Sequence, residues 1–168
     1  MALQLANSTG LTAVLAVATA GSALTGLSGA ATTYSSSAFG YCIDGVAYAN
    51  GANSGATTPT TNGGVAGTSI TLTANKARAV VWAVNAAGTE FVFAGPIVDW
   101  TDTTAGSTAC PLPAIPAGYA AFAAHTIQGG STLSGTWTFG SSNWNATGLT
   151  VGTVRNLAQV PSNPLTTS

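Results

Sequence analysis

Few side chains in this sequence could carry out acid–base, nucleophilic or metal chemistry. The one histidine, His125, could act as a general base or a metal ligand, but no cysteine, histidine or carboxylate lies at a ligand spacing from it. A histidine hydrogen-bonded within the wall of a β-sheet is therefore the favoured interpretation. We expect no catalytic residue, no metal site and no cofactor.

The acidic residues are equally sparse. Asp99 and Asp102 are the one close pair, and a glycosidase or a calcium site could use such a pair. Calcium takes about six to eight oxygen ligands, so two carboxylates in a proline-bounded loop are better explained by solvation or capping. Glu90 is expected at the edge of a hairpin, where its charge would discourage unwanted strand pairing.

Two cysteines, Cys42 and Cys110, leave two interpretations open. A disulfide between them would close a long loop and stabilise the fold if the geometry allowed it. Two half-buried thiols are favoured, because the start of the chain lacks the positive charge of a secretory leader.

The composition excludes several classes of protein. Among 168 residues there are three Lys or Arg and four Asp or Glu, whereas there are 27 threonines and 15 serines. Three cations with a net charge of −1 cannot neutralise a nucleic-acid backbone. An apolar content of 46% argues against disorder, and no apolar run reaches the roughly 20 residues of a membrane span. We expect neither a nucleic acid nor a membrane as a partner.

The low charge also indicates that the protein associates with other protein chains. A monomer near zero net charge tends to associate, and a surface of threonine, serine, alanine and asparagine can be buried without desolvating ions. The composition therefore favours assembly with copies of the same chain or with another protein.

The residue pattern of the amino-terminal region is typical of a short helix. Leu11, Leu15 and Ala18 share one helical face, and Gly21 follows as a stop. A helix of about ten residues is marginal alone, so it would lie on its own domain or on a neighbouring subunit. We treat residues 1–31 as an arm, helical or extended, that serves as an anchor or oligomer contact. Its candidate interface residues are Leu3, Leu5, Leu11 and Leu15.

From Thr32 onward the pattern is that of short strands between turns. Asp44-Gly45 predicts one hairpin, and Ala86-Ala87-Gly88 predicts a second between apolar strands. Seven or eight such strands indicate a mainly β protein with a β-sandwich or jelly-roll-like body over residues 32–160. A proline-limited tail, residues 161–168, ends the chain.

The large apolar residues of these strands are the candidate core, and one tryptophan is set apart. Trp144, within a Ser- and Asn-rich segment, is the best candidate for an exposed or interfacial ring. The tryptophans could instead form a sugar-stacking face, although core or interface positions are favoured. The predicted core residues are Val80, Trp82, Val84, Phe91, Phe93, Phe122, Trp137 and Phe139.

Four stretches resemble a known group of proteins. The opening residues 1–16 and the later residues 79–88, 112–118 and 135–149 are similar to small virion structural proteins of tailed bacteriophages. These proteins are described as head fibre, decoration or cement proteins. The resemblance implies a non-enzymatic protein that is assembled in the host cytoplasm, resides in the virion, and binds a major capsid protein or another virion protein.

Two other functions remain open. A self-assembling extracellular filament subunit, like a pilin, would complete a neighbour's sheet by strand addition, and the low charge and alternating threonines suit it as well. A weaker alternative is a receptor- or glycan-binding tip that uses Trp144.

Overall fold

The protein is mainly β, as the sequence predicts. A computed structural model describes residues 13–17, 24–30, 32–100 and 109–157, and for 13–17 it describes the backbone. These residues contain strands and no helix, and so none that could cross a membrane. The strands are β1 (Ala13–Val17), β2 (Leu24–Thr25), β3 (Thr33–Ser36), β4 (Phe39–Ile43), β5 (Val46–Asn50), β6 (Asn53–Thr57), β7 (Thr71–Leu72), β8 (Lys76–Asn85), β9 (Glu90–Ala94), β10 (Val98–Asp99), β11 (Tyr119–Gly129), β12 (Trp137–Thr138), β13 (Leu149–Val151) and β14 (Arg155–Asn156).

One layer of the body is a six-stranded sheet built around β8 and β11. These two strands pair antiparallel over almost their whole length, from Tyr119 opposite Asn85 to Gly129 opposite Lys76. The other edge of β8 pairs with β9 and β10, and the other edge of β11 pairs with β13 and β14. Valines and aromatic residues favour this extended backbone because their side chains fit a pleated surface.

Three smaller sheets cover one face of this large sheet. They are formed by β1-β4-β5, by β2-β3-β6 and by β7-β12. Phe39 of β4 stacks on Phe122 of β11, with ring centroids 4.7 Å apart, and Tyr34 of β3 lies 4.6 Å from Trp82 of β8. The core lies between the layers, so the arrangement is sandwich-like.

Both predicted hairpins form, because their turn residues adopt the backbone that a tight turn needs. Asp44 and Gly45 join β4 to β5 with φ angles of 50° and 82°, the left-handed pair that matches strand twist. At the turn between β8 and β9, the Asn85 side-chain oxygen accepts hydrogen bonds from the backbone N–H groups of Ala87 and Thr89.

Six of the eight predicted core residues lie between the layers. They are at most 2% exposed: Val80, Trp82, Val84, Phe122, Trp137 and Phe139. Phe93 is also buried, at 7% exposed, but neither it nor the half-buried Phe91 belongs to the cluster between the layers. They alternate with Val92, which faces inward, and so their rings project from the outer face of the large sheet.

On that outer face the two phenylalanines form a separate cluster. Each ring lies edge-on to Tyr119, with centroids 5.2 Å apart. The loop at Gly63-Gly64 covers the two rings, and its Gly63 N–H donates to the carbonyl of Val92 at 2.7 Å. The cluster closes one end of the outer face.

Of the two forms predicted for the amino-terminal arm, helical or extended, the described residues 13–17 take the extended one. Residues 13–17 form β1, which pairs antiparallel with β4. Val14 and Val17 favour an extended backbone, and pairing with β4 stabilises it, whereas a helix of this length is marginal alone. Leu24 and Leu27 are buried in the core, so the body extends into the predicted arm before residue 32.

A buried polar pair lies within the core. The indole N–H of Trp82 donates to Nε2 of His125 at 3.1 Å, and Nδ1 of His125 lies 3.2 Å from the carbonyl oxygen of Thr126. Because Nε2 accepts, the ring is neutral with its proton on Nδ1. Burial lowers the pKa of His125 from 6.5 to about 4.

Substitution of Gly64 tests the packing of the loop on the outer face. A Cβ at Gly64 would lie 2.6 Å from Cε1 of Phe91, whereas a Cβ at Gly67 would meet no atom within 4 Å. Both glycines have positive φ, so alanine at either position costs about 1 kcal/mol in backbone strain. We expect Gly64→Ala to lower the free energy of unfolding by about 1 kcal/mol more than Gly67→Ala, because the ring must move. Urea denaturation measures both, and equal losses would contradict the described contact.

The neutral buried histidine makes stability depend on pH. Below pH 6.5 the unfolded chain binds a proton at His125, whereas the folded protein does so only near pH 4, so stability falls as the pH falls between these values. We expect the free energy of unfolding to be about 2 kcal/mol lower at pH 5 than at pH 7. Urea denaturation at both pH values measures it. His125→Gln, which does not titrate, should remove most of this difference; an unchanged difference in that variant would refute the assignment.

Candidate functional site

The described part of the chain contains no cluster of groups suited to metal or acid–base chemistry. No three His, Cys, Asp or Glu residues there are close enough together to hold a metal ion. Asp99 lies on exposed β10 and forms an ion pair with Lys76, whose hydrogen bond lowers the pKa of that carboxyl. Asp102, its predicted neighbour, lies outside the described residues.

The two cysteines do not form a disulfide. Cys42 is a buried thiol in β4, and Cys110 is a half-buried thiol in the segment before β11. Burial raises the pKa of Cys110, so its thiol is less ionised at neutral pH than an exposed one.

Glu90 is not the exposed hairpin-edge charge that the sequence analysis expects. It lies on the same face of β9 as Val92, so strand alternation turns it inward, and it is 8% exposed. Its Oε1 accepts hydrogen bonds from three side chains: Ser36 Oγ at 2.9 Å, Asn50 Nδ2 at 2.6 Å and Asn53 Nδ2 at 3.1 Å. These partners are on β3, β5 and β6, and so the carboxylate ties three strands to β9.

Glu90 and the groups around it have a structural role. The hydroxyl of Tyr34 lies beside the carboxylate, and burial and then Glu90 raise the pKa of Tyr34 well above 10. Oε2 of Glu90 is buried and accepts no hydrogen bond from any of the described residues. The carboxylate fixes the corner at which the chain passes from β5 to β6.

Trp144, predicted as an assembly contact, is a core residue. It is 2% exposed, and its indole N–H donates to the carbonyl of Thr33 at 3.1 Å. Its ring lies 5.4 Å from that of Trp137 and 5.0 Å from that of Phe139. The polar residues around it in sequence suggested exposure, but the indole N–H finds its partner on a distant strand, and the ring can therefore be buried.

The other predicted interface residues are four leucines near the amino terminus. Leu3, Leu5 and Leu11 lie outside the described residues. Leu15 is in β1, at an irregularity in the pairing with β4 between Val14 and Ala16.

An uncharged edge strand is the first surface feature that sequence reasoning missed. Within the described residues β5 pairs with β4 alone, and Val46, Ala47 and Ala49 on it are exposed. Natural edge strands usually carry charge, proline or a bulge that prevents pairing with another chain, and β5 carries no charge or proline. We call residues 46–50 the β5 edge.

Charged side chains are rare on the described surface, and some are internally engaged. The half-buried guanidinium of Arg78 donates to the carbonyl oxygen of Gly95 at 2.7 and 3.1 Å and to that of Thr71 at 3.2 Å, and burial lowers its pKa. The exposed ions of the described chain are Asp44, Asp99 and Arg155, with Lys76 beside Asp99.

A cleft of about 550 Å³ opens on the outer face of the large sheet. Its floor is formed by Ala79 of β8 and by Ala124, Thr126 and Gln128 of β11. These residues follow the strand alternation, and the two alanines are buried, at 2% and 7% exposed. We call this feature the outer cleft.

Two segments form the walls of the outer cleft. Residues 110–113 pass so close to Gly95 that a Cβ there would lie 2.1 Å from the carbonyl oxygen of Pro111, and Leu112 of this wall is 64% exposed. The opposite wall, residues 152–155, is held by a 2.8 Å hydrogen bond from Gly152 N–H to the carbonyl of Thr126. It carries Arg155 at the rim.

Sequence reasoning missed the outer cleft because four separate segments build it. The signals that it did offer were the small residues of β8 and β11 and the glycine between β13 and β14. None of these identifies the opposite wall.

Comparisons of the chain with models of protein families, with curated proteins and with solved structures found no match.

Proposed function

We propose that the protein is a non-enzymatic structural protein of a tailed-bacteriophage virion, a capsid decoration, cement or head-fibre protein that binds and stabilises the shell. Its partners are copies of itself and a major capsid or other virion protein. It needs no cofactor.

The observation that carries this proposal is the uncharged β5 edge. No described strand pairs with its outer side, so its backbone groups can pair with a strand of another chain, and no ion on β5 has to be desolvated when they do. The half-exposed Val46 adds apolar surface at the same place. A surface of this kind suits a protein that is covered by neighbours.

The composition and the resemblance support the same conclusion. Net charge is −1, so repulsion between copies is weak and close packing on a shell is tolerated. The four stretches that resemble phage head proteins include residues 79–88 and 135–149, which contribute to the sandwich core.

A filament subunit that pairs by strand addition is the second candidate, because the β5 edge suits it equally. A glycan-binding tip based on Trp144 has no support, since that ring is buried and cannot stack on a ligand. The location of the native protein separates the first two candidates.

A pair of matched substitutions tests whether the β5 edge binds the particle. Val46, on the β5 edge, is 53% exposed, and Val65, in the loop before β7, is 58% exposed. Lysine at either position can extend into solvent, so both variants should fold. We expect wild-type protein and Val65→Lys in purified virions, and Val46→Lys to be depleted about tenfold, because a lysine opposes edge pairing. Quantitative mass spectrometry of virions from cells that express each variant measures this.

Each other outcome counts against part of the proposal. Wild-type protein absent from virions but present in extracellular filaments would replace the phage function by the filament function. Equal incorporation of both lysine variants would show that a surface other than the β5 edge binds the particle. An amino-terminal deletion used alongside must end before Ala13, because β1 pairs with β4 and Leu24 and Leu27 are core residues.

A further inference from the structure

We propose that Asn50 is a self-modification site, at which attack by the backbone nitrogen of Gly51 releases ammonia and leaves a carboxylate on the β5 edge. The reaction needs no other protein, whereas its effect on strand pairing rests on the proposed function of that edge.

Two dipeptides in the sequence could undergo this deamidation readily. Asparagine followed by glycine offers the least steric hindrance, because glycine has no Cβ beside the attacking nitrogen. The sequence contains Asn50-Gly51 and Asn62-Gly63 and no further Asn-Gly pair. The structure holds the two in different ways, and so the chain carries both a reactive site and an internal control.

Hydrogen bonds and a close ring hold the second dipeptide, Asn62-Gly63. The nitrogen that would have to attack belongs to the Gly63 N–H, which donates to the carbonyl of Val92 at 2.7 Å. The side-chain oxygen of Asn62 accepts from the backbone N–H of Ala94 at 3.0 Å. A Cβ at Gly63 would lie 2.8 Å from the ring of Phe93, so the peptide group has little space to rotate. Ring closure at Asn62 therefore requires these contacts to break.

The first dipeptide, Asn50-Gly51, lies where β5 ends and is less restrained. Hydrogen-bonded pairs alternate along β4 and β5 from their two-residue turn, so the fifth pair, Phe39 with Asn50, is hydrogen-bonded. The N–H of Gly51 lies beyond this last pair. Gly51 is exposed, and a Cβ there would meet no described atom within 4 Å. Its peptide group can therefore rotate until the nitrogen reaches Cγ of Asn50.

The steps balance with water as the one co-reactant. The nitrogen of Gly51 forms a bond to Cγ of Asn50, the bond from Cγ to Nδ2 breaks, and the proton from the Gly51 nitrogen leaves with Nδ2 as ammonia. Water then opens the resulting succinimide at either carbonyl carbon. The product is aspartate, or isoaspartate in which the chain continues through the former side chain. Nothing is oxidised or reduced.

The product changes two properties of the β5 edge. Nδ2 of Asn50 donates to Oε1 of Glu90 at 2.6 Å, so a carboxylate in its place turns a hydrogen bond into a contact between like charges. It also gives β5 a charge that the strand lacks, and a charge on an edge strand opposes pairing with another chain. The modification therefore loosens the corner at Glu90 and weakens pairing at the β5 edge.

Ageing of the isolated full-length protein in mildly alkaline buffer tests the proposal. Tandem mass spectrometry detects the gain in mass when a carboxylic acid replaces the amide, and fragment ions that separate Asn50 from Asn62 assign it. In the folded chain we expect the product to form at least about tenfold faster at Asn50 than at Asn62. In urea we expect similar rates at both, because the unfolded chain lacks the contacts that hold Asn62.

Two neighbouring substitutions separate attack by Gly51 from general effects on this segment. Gly51→Ala places a methyl group beside the attacking nitrogen, and the fold is retained because that group has open space. Ala52→Gly changes the next exposed residue and leaves the dipeptide intact. We expect Gly51→Ala to slow the modification about tenfold and Ala52→Gly to leave its rate unchanged.

The charged product can be separated by anion exchange and compared with the unmodified protein. We expect the product to unfold at a lower urea concentration, because its new carboxylate faces Glu90. Depletion of the product from virions that contain the unmodified protein would support the effect on pairing, and equal incorporation would overturn it.

Four results would overturn the proposed modification: no product in the folded chain, product at Asn62 as fast as at Asn50, equal rates for the two variants, or equal urea midpoints for the product and the unmodified protein. These experiments use the isolated protein, so their failure would leave the virion proposal standing. Absence of the protein from virions would likewise leave their results unaffected.

Discussion

The pairing of β8 with β11 is the constraint on which the rest of the structure depends. Along β8 the large residues Val80, Trp82 and Val84 point inward, whereas Ala79 and Ala83 point outward. One strand therefore contributes large side chains to the core and small side chains to the outer face of the sheet. Every other strand of the large sheet is positioned by hydrogen bonds to one of these two, so both the sandwich and the outer cleft follow from their register.

In this chain, which has few charged residues, the buried polar groups form mainly hydrogen bonds in which neither partner or only one partner is charged. Trp82 donates to neutral His125, and Trp144 donates to a backbone carbonyl. Glu90 accepts from amide and hydroxyl groups, and Arg78 donates to carbonyl oxygens. The desolvation of paired charges, the costly part of a buried ion pair, is thus avoided. The scarcity of charged residues also leaves the β5 edge without the charges that normally protect an edge strand.

The sequence was informative where structure is decided locally and misleading where a distant strand decides it. Asp44-Gly45 predicted its hairpin because the turn needs only those two residues. The inward position of Glu90 was hidden, because alternation with Phe91 and Phe93, two large apolar residues predicted as core, places Glu90 on the outer face. Likewise, β1 depends on β4, the burial of Trp144 depends on Thr33, and the outer cleft depends on Arg155 meeting strands far away in sequence. A single sequence does not specify such pairings.

The β5 edge and the outer cleft lie on opposite sides of the sandwich. The β5 edge belongs to the layer that covers the core, and the outer cleft opens on the face of the large sheet turned away from it. A strand paired at the β5 edge, as proposed, would therefore leave the outer face of the large sheet uncovered.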